Sequence, residues 1–153
     1  MDKLAVKKYL EKLQNEICVT LSSADKNSFL ADRWERTEGG GGESRLFSNG
    51  SFIEKGGVNF SHVFGNSIPT AATIKRPELV GAAWEAMGVS VVIHPSNPHV
   101  PTVHMNVRFF SARKGDTDIW WFGGGYDLTP FYGYEDDCIH WHCSAKKVCD
   151  KFS

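Results

Sequence analysis

The sequence predicts an α+β fold in which one antiparallel β-sheet is flanked by helices. Three strand-like runs, "GVSVVIHP", "PTVHMNVRFFSA" and "TDIWWFGGG", follow one another and are separated by the short links "SNPHV" and "RKGD". Parallel strands need long crossover connections, so these short links indicate antiparallel neighbours. With 153 residues, 41% of them apolar, the chain is most simply one domain, 1–153, with its own core.

The N-terminal part of this fold is predicted to be a helix over residues 2–21. Apolar residues recur there at steps of three and four, with lysine and glutamate between them. They are Leu4, Leu10, Leu13, Ile17 and Leu21. The polar stretch over residues 22–47 contains Gly39 to Gly42, and we expect it to be a loop that leads to a strand.

The sequence also predicts a hairpin and a second helix in its middle. Asn49-Gly50 is a strong signal for a two-residue hairpin turn, and "GGVNFSHVFG" after it is strand-like. We expect residues 74–88 to form a helix, because Pro77 suits a first turn and Gly88 suits a stop. The apolar stripe of this helix would be Leu79, Val80, Ala83, Trp84 and Met87.

A last helix is expected near the C-terminus, from about Tyr134 to Cys149. Thr129-Pro130 is typical of an N-cap and a first helical turn. Three of the four cysteines lie in or beside this segment, close to His140 and His142. They could form a metal cluster, but no Cys-x-x-Cys is present, so the spacing favours reduced thiols.

Composition excludes several classes of protein. The net charge is −1, which gives no field to attract nucleic acid or an anionic membrane. No run of about eighteen apolar residues is present, so we expect no transmembrane helix. The N-terminus is charged and amphipathic, unlike a signal peptide. The resulting expectation is a cytoplasmic protein.

The first two strands of the three-strand region carry the candidate site. Period-two alternation gives each strand two faces. If the strands are neighbours, matching their apolar faces brings five polar residues together: Ser90, His94, His104, Asn106 and Arg108. A solvated face would carry Lys, Glu and Thr, whereas this one suits a pocket wall for an anionic ligand. Both interpretations stay open.

Individual residues of this face suggest different chemistries. Arg108 is suited to bind a carboxylate or phosphate, because its planar guanidinium matches two oxygens at once. His94 and His104 could bind a metal with His142 as a third ligand, although a single histidine is more often structural.

The run Gly123–Gly125 is neither a Walker loop nor a dinucleotide-binding motif, since the required Lys-Ser/Thr and glycine spacing are absent. Glycines that end a strand allow a sharp bend or a close backbone approach. Asp127 follows at the expected strand end. It is either a turn-stabilising residue or a carboxylate that faces the pocket.

At these residues the chain resembles the oxygen-dependent coproporphyrinogen III oxidases of haem biosynthesis. The matching segments are "RWERTEGGGGESRLFSNGSFIEKGGVNFSHVFG", "GVSVVIHPSNPHVPTVHMNVRFF", "WWFGGGYDLTPFYG" and "DDCIHWH". The resemblance implies oxidative decarboxylation of two propionates of coproporphyrinogen III to vinyl groups, giving protoporphyrinogen IX. Molecular oxygen would be the co-substrate, no organic cofactor would be needed, and a divalent metal is left open. A large antiparallel sheet flanked by helices and a homodimer are also implied.

The resemblance further implies roles for single residues. Ser90 would contact the substrate, Asn106, Val107 and Arg108 would bind it, and His104 would donate a proton. Asp127 would act on a pyrrole N–H. The histidines sometimes assigned as metal ligands match His94, His104 and His142. Arg108 is the best anchor for a propionate, and Arg33, Arg36 and Arg45 are secondary candidates that could equally be solvated.

The length of the chain departs from the family. Its 153 residues correspond to approximately the N-terminal half of the family's length, so we expect a domain truncated at the C-terminus. Two alternatives therefore stay open beside the oxidase. One is a catalytically incomplete porphyrin-binding fragment. The other is a metal-dependent enzyme that uses His94, His104 and His142.

Overall fold

In the computed structural model, residues 1–68, 73–74 and 76–152 are described. The described elements are two α-helices, a short 3-10 helix (Pro77–Leu79) and six strands. The helices are α1 (Lys3–Asp25) and α2 (Glu135–Cys149). The strands are β1 (Leu30–Glu35), β2 (Gly40–Ser48), β3 (Ile53–Gly65), β4 (Ala83–Pro95), β5 (Thr102–Lys114) and β6 (Thr117–Thr129). The predicted α+β class is confirmed.

The six strands form one antiparallel sheet in which spatial order follows chain order. Each strand therefore pairs with the one that precedes it in the sequence, as the short links predicted for β4, β5 and β6. None of the described helices has the length and apolar character needed to cross a membrane.

Helix α1 packs against one side of this sheet, which we call the helix face. The buried core residues on this face come from the central strands and include Val58, Phe60, Val89, Val91 and Phe109. Leu10 and Cys18 of α1 are buried against them, and burial raises the pKa of the Cys18 thiol. The opposite side of the sheet, which we call the open face, is not covered by α1.

A buried polar residue of α1 ties the helix to the sheet. The side-chain Nε2 of Gln14 donates to the backbone oxygens of Glu43 at 2.8 Å and Val58 at 2.9 Å. The helix continues four residues beyond its predicted end at Leu21 and reaches Asp25. Leu4, which we assigned to the buried stripe, is 61% exposed, because at 3.6 residues per turn it lies about 120° around the helix from Leu10.

The predicted loop over residues 22–47 is wrong over most of its length. Strand β1 and most of β2 lie there, and the glycines from Gly40 onward are paired strand residues. A side chain at Gly42 would overlap the backbone oxygen of Phe60 and the Trp34 ring. These glycines therefore permit close packing in a strand, whereas the sequence suggested a flexible loop.

The hairpin predicted at Asn49-Gly50 is present, but its loop has four residues, 49–52, between Ser48 and Ile53. The C-terminal end of α1 shapes this loop. The buried carboxylate of Asp25 accepts hydrogen bonds from the backbone N–H groups of Ser51 at 3.0 Å and Phe52 at 2.7 Å. This contact from a distant segment explains why the local two-residue signal was incomplete.

The helix predicted over residues 74–88 is wrong. A 3-10 helix spans Pro77–Leu79, and β4 begins at Ala83, while residue 75 lies outside the described residues. Gly81 adopts a positive φ of 75° between these elements, which interrupts a helix. Trp84 pairs between Gly65 and Ala112, so sheet pairing overrides the helix-like spacing of apolar residues.

Two details near the C-terminus also differ. Gly123–Gly125 do not end a strand, because β6 continues through Asp127 to Thr129. Thr129 is therefore a strand residue, and Tyr134 rather than Thr129 is the N-cap of α2. The predicted helix itself is confirmed. It contacts β6 through a T-shaped pair of Tyr126 and Trp141, whose ring centroids are 4.6 Å apart.

The free energy of unfolding of the protein should depend on pH through Glu43, which lies on the helix face. The Nε atoms of Arg33 and Arg45 each donate to its carboxylate at 2.8 Å, and these bonds hold the pKa of Glu43 below its ordinary value. A depressed pKa stabilises the fold above the unfolded-state pKa, and this contribution is lost as pH falls through the folded-state pKa.

We therefore expect Glu43→Gln to destabilise the protein at pH 7 and to approach wild-type stability as pH falls below about 4. Urea unfolding of both proteins between pH 7 and 3 measures this difference. Glu54→Gln, at an exposed position of β3, is the control. A Glu43→Gln effect that is constant with pH would contradict the assigned ion pairs.

Candidate active site

The open face of the sheet carries four rows of side chains that run across β3 to β6. The register aligns one residue from each strand in every row. The rows are Gly57, Val92, His104 and Asp127; Asn59, Ser90, Asn106 and Gly125; Ser61, Gly88, Arg108 and Gly123; and Val63, Ala86, Phe110 and Trp121. Antiparallel pairing thus brings Ser90, His104, Asn106 and Arg108 together, and it adds Asp127 from β6.

A cavity of about 660 Å³ lies over the first three of these rows. Its lining includes Ser90, His104, Asn106, Arg108 and Asp127, so this polar face borders a pocket, one of the two interpretations that strand alternation left open. Val91 and Met105 also border it. Their side chains point to the helix face by alternation, so they contribute backbone atoms.

His104 and Asp127 form a hydrogen-bonded pair at one end of this cavity. The Nδ1 atom of His104 lies 2.7 Å from Oδ1 of Asp127. An ionised carboxylate only accepts, so Nδ1 carries the proton and Nε2 is left for a ligand. The two side chains are 42% and 66% exposed. They are therefore accessible to a molecule in the cavity, and the pair can move a proton between solvent, ligand and protein.

Arg108 is the cation of this cavity. One of its terminal nitrogens donates to Oδ1 of Asn106 at 3.1 Å, and Asn106 Nδ2 donates weakly to the backbone oxygen of Val89 at 3.5 Å. Among the described residues, Arg108 has no carboxylate partner. Its charge is thus available to an anionic ligand, and Asn106 orients it.

Two glycines of β6, Gly123 and Gly125, line the cavity with backbone atoms only. A Cβ placed on Gly123 or Gly125 would meet nothing within 4 Å, so neither glycine is required by the packing of the protein. Gly124 lies between them on the helix face, and its Cβ would lie 2.5 Å from the backbone oxygen of Asn106. Gly123 and Gly125 therefore leave space for a ligand at the backbone, whereas Gly124 is needed for strand packing.

Stacked aromatic rings close the far end of the open face. Phe110 stacks on Trp84 at 6.0 Å and on Trp121 at 4.5 Å between ring centroids. Together with Ile68, Leu79 and Ala112 they form a second apolar cluster. The guanidinium of Arg76 lies 4.5 Å from the Trp121 ring centroid, a distance typical of a cation–π contact. The polar rows thus end at an apolar wall.

Some residues predicted for the site lie elsewhere. The side chain of Val107 is on the helix face and packs against the core, so any contact of Val107 with a ligand must use its backbone. His94 lies 3.3 Å through Nδ1 from Thr102 Oγ1 and does not line the cavity. His142 is exposed on α2.

The predicted metal ligands do not form a site in this structure. Within the part of the chain that is described, no three His, Cys, Asp or Glu side chains are close enough to hold a metal ion. His94, His104 and His142 are therefore not brought together, and neither are the cysteines near them. The metal-dependent enzyme and the metal cluster remain predictions that this geometry does not support.

The secondary arginines are also distributed differently from the expectation. Arg33 and Arg45 are on the helix face, where both are paired with Glu43. Arg36 lies 3.3 Å from Glu38 and 5.8 Å from the Trp84 ring centroid. None of the three lines the 660 Å³ cavity.

Sequence reasoning missed several residues that line the open face. Gly123 and Gly125 were expected to allow a sharp bend or a close backbone approach at a strand end, and alternation from Asp127, which places them on the same face, was not applied. Asn59 and Ser61 were not considered, although alternation within "GGVNFSHVFG" separates them from Val58 and Phe60. Trp84 was assigned to a helix, so its stacking with Phe110 could not be anticipated.

The chain also matches a known protein family. The sequence model of the family described as coproporphyrinogen III oxidase matches residues 5–153. The match therefore includes all six strands, the three rows that contain His104, Asn106 and Arg108, and the glycines of β6. The chain belongs to the coproporphyrinogen III oxidase family, which implies coproporphyrinogen oxidase activity in haem biosynthesis with coproporphyrinogen III as the substrate.

Proposed function

We propose that this protein catalyses the oxygen-dependent form of the family's reaction, the oxidative decarboxylation of coproporphyrinogen III to protoporphyrinogen IX. In each of two steps, a propionate and one O₂ give a vinyl group, CO₂ and H₂O₂. The carbon next to the pyrrole ring loses a hydrogen, and the carbon–carboxyl bond breaks. Oxygen accepts the two electrons and two protons, so the balance requires no organic cofactor.

The observation that carries this proposal is the arrangement around the 660 Å³ cavity. A hydrogen-bonded carboxylate and imidazole lie at one end, and a guanidinium without a carboxylate partner among the described residues lies two rows away. His104 and Arg108 are four residues apart on β5, which corresponds to about 13 Å. This span suits a macrocycle with carboxylates at its edge rather than a single small anion.

Asp127 is proposed to act on the pyrrole N–H. Its Oδ1 is bonded to His104 at 2.7 Å, and Oδ2 has no partner among the described residues. Oδ2 can therefore accept the pyrrole proton while His104 stabilises the carboxyl group. Removal of this proton makes the ring electron-rich, which promotes its direct reaction with oxygen. Asp127 can then return this proton to the pyrrole nitrogen, while the Nδ1–H of His104 continues to donate to Oδ1.

Arg108 is proposed to anchor a propionate. Its fork matches both oxygens of a carboxylate, and Asn106 holds one of its nitrogens at 3.1 Å. Ser90 is directly opposite Asn106 and can add a hydroxyl donor. The backbone at Gly123 and Gly125 leaves room for the macrocycle itself. Arg108 and Ser90 would thus bind the edge of the substrate, and the centre of the macrocycle would lie against the backbone of Gly123 and Gly125.

Oxygen dependence can be tested with the purified protein and coproporphyrinogen III. After incubation in air, re-oxidation should yield fluorescent protoporphyrin, with CO₂ and H₂O₂ formed in equal amounts. The same incubation under argon should yield none. Equal product without oxygen, or no product in air from folded protein, would reject this proposal.

Asp127→Asn should lower turnover by about a hundredfold or more, because a neutral amide cannot accept the pyrrole proton. Folding should be retained, since the Asp127 side chain is 66% exposed. Steady-state rates and thermal unfolding measure the two effects. Asp116→Asn, in the exposed β5–β6 turn, is the control. A parallel loss of turnover and thermal stability would instead assign Asp127 a structural role.

Valine substitutions at Gly124 and Gly125 distinguish a glycine that is needed for strand packing from one that leaves space for a ligand. Gly125→Val should raise KM about tenfold or more without lowering Tm, because its side chain would occupy the cavity without meeting protein atoms. Gly124→Val should lower Tm, because its Cβ would lie 2.5 Å from the Asn106 backbone oxygen. If Gly125→Val left KM unchanged, the substrate would not approach this part of β6.

A further inference from the structure

We propose that Asn59 and Ser61 of β3, together with Arg108, form a second subsite that holds a propionate other than the one being decarboxylated. The inference rests on the proposed function, because it takes a tetracarboxylate macrocycle as the ligand. Neither residue belongs to the His104–Asp127 cavity. Their role would be to position the substrate and to select it by its carboxylates.

The subsite is a separate cavity of about 360 Å³ on the open face. Its polar lining is Asn59, Ser61, Ser90, Asn106 and Arg108. The last three of these also line the larger cavity. The two cavities are therefore contiguous, and Arg108 stands at their boundary. One ligand can occupy both if its functional groups are far enough apart.

The sheet register allows Arg108 and Ser61 to address the same group. Ser61 is opposite Gly88, and Gly88 is opposite Arg108. At about 4.8 Å between neighbouring strands, the backbones at Ser61 and Arg108 are about 10 Å apart. Gly88 has no side chain between them, so a carboxylate lying over Gly88 can meet the guanidinium on one side and the hydroxyl on the other.

The two side chains that β3 contributes to this subsite are not used as donors by the protein. Within the described residues, the side chains of Asn59 and Ser61 form no hydrogen bond, although both are half-buried. Because both side chains are only partly buried, their polar atoms are accessible to a ligand in the smaller cavity. An ionised carboxylate offers lone pairs on both oxygens, and it would satisfy Asn59 Nδ2 and Ser61 Oγ beside Arg108.

The two cavities differ in charge, and they therefore suit different parts of the substrate. The larger cavity contains the Asp127 carboxylate, which repels a propionate and attracts a pyrrole N–H. The smaller cavity is lined by no acidic residue and includes Arg108. Electrostatics therefore favours a propionate in the smaller cavity and a pyrrole ring near Asp127.

The aromatic wall completes the subsite. Trp84 and Phe110 line the smaller cavity and are stacked with their planes 3° apart. An apolar wall on one side limits the access of water, and this strengthens the attraction between Arg108 and a bound carboxylate. The wall also ends the polar rows, so the propionate has a defined position along β3.

The test compares a stable porphyrin that carries four propionates with its neutral tetra-amide. Absorbance titrations give the Kd of each for wild type, Ser61→Asp and Asn59→Asp. A new carboxylate in the subsite should weaken binding of the tetra-acid about tenfold. Binding of the tetra-amide should not change. The ratio of the two Kd values distinguishes loss of a carboxylate contact from a general distortion, which would weaken both ligands.

Ser48→Asp is the matched control, because Ser48 is exposed at the end of β2 and lines neither cavity. It should leave both Kd values unchanged. The subsite is rejected, with the proposed function intact, if Ser61→Asp and Asn59→Asp bind both ligands as wild type does while wild type converts substrate in air. Equal weakening of both ligands also rejects it. If wild type neither binds the tetra-acid nor converts substrate, the proposed function fails, and the subsite fails with it.

Discussion

The packing of α1 against one side of a single antiparallel sheet is the constraint on which the other features depend. Leu10, Gln14 and Cys18 bury one helix stripe on the central strands, and the hydrogen bonds of Gln14 hold that position. A slip of one residue in any central strand would exchange its apolar and polar faces. Because successive side chains of a strand point to opposite faces, the residues buried on the helix face determine which side chains lie on the open face.

Different parts of the open face have different physical character. One end has a carboxylate bonded to an imidazole, the middle has one guanidinium among neutral donors, and the other end has stacked rings. Gly88, Gly123 and Gly125 lie beside Arg108 and Asn106 in the register. Because these neighbours have no side chains, a long arginine can serve a ligand on either side of its strand. We infer that these glycines and Arg108 together create two connected subsites.

Much of this arrangement could be predicted, because period-two alternation is a local property of a strand. Once the two strands were taken as neighbours, it placed Ser90, His94, His104, Asn106 and Arg108 on one face. It could not show that Arg33 and Arg45 would be paired with Glu43 on the other face, since their strands were taken for a loop. The helix expected over residues 74–88 failed because its apolar spacing also satisfies a strand that pairs on both sides.

The sequence by itself determined the α+β class, the antiparallel order of the strands after Ala83 and the residues that resemble those of the family. Each of these depends on local spacing, short links or contiguous motifs. Only the tertiary structure decided that Asp127 bonds to His104, that His94 and His142 remain apart from it, and that Asn59 and Ser61 share a cavity with Arg108. These relations depend on inter-strand register and on helix placement, which bring residues together irrespective of their separation along the chain.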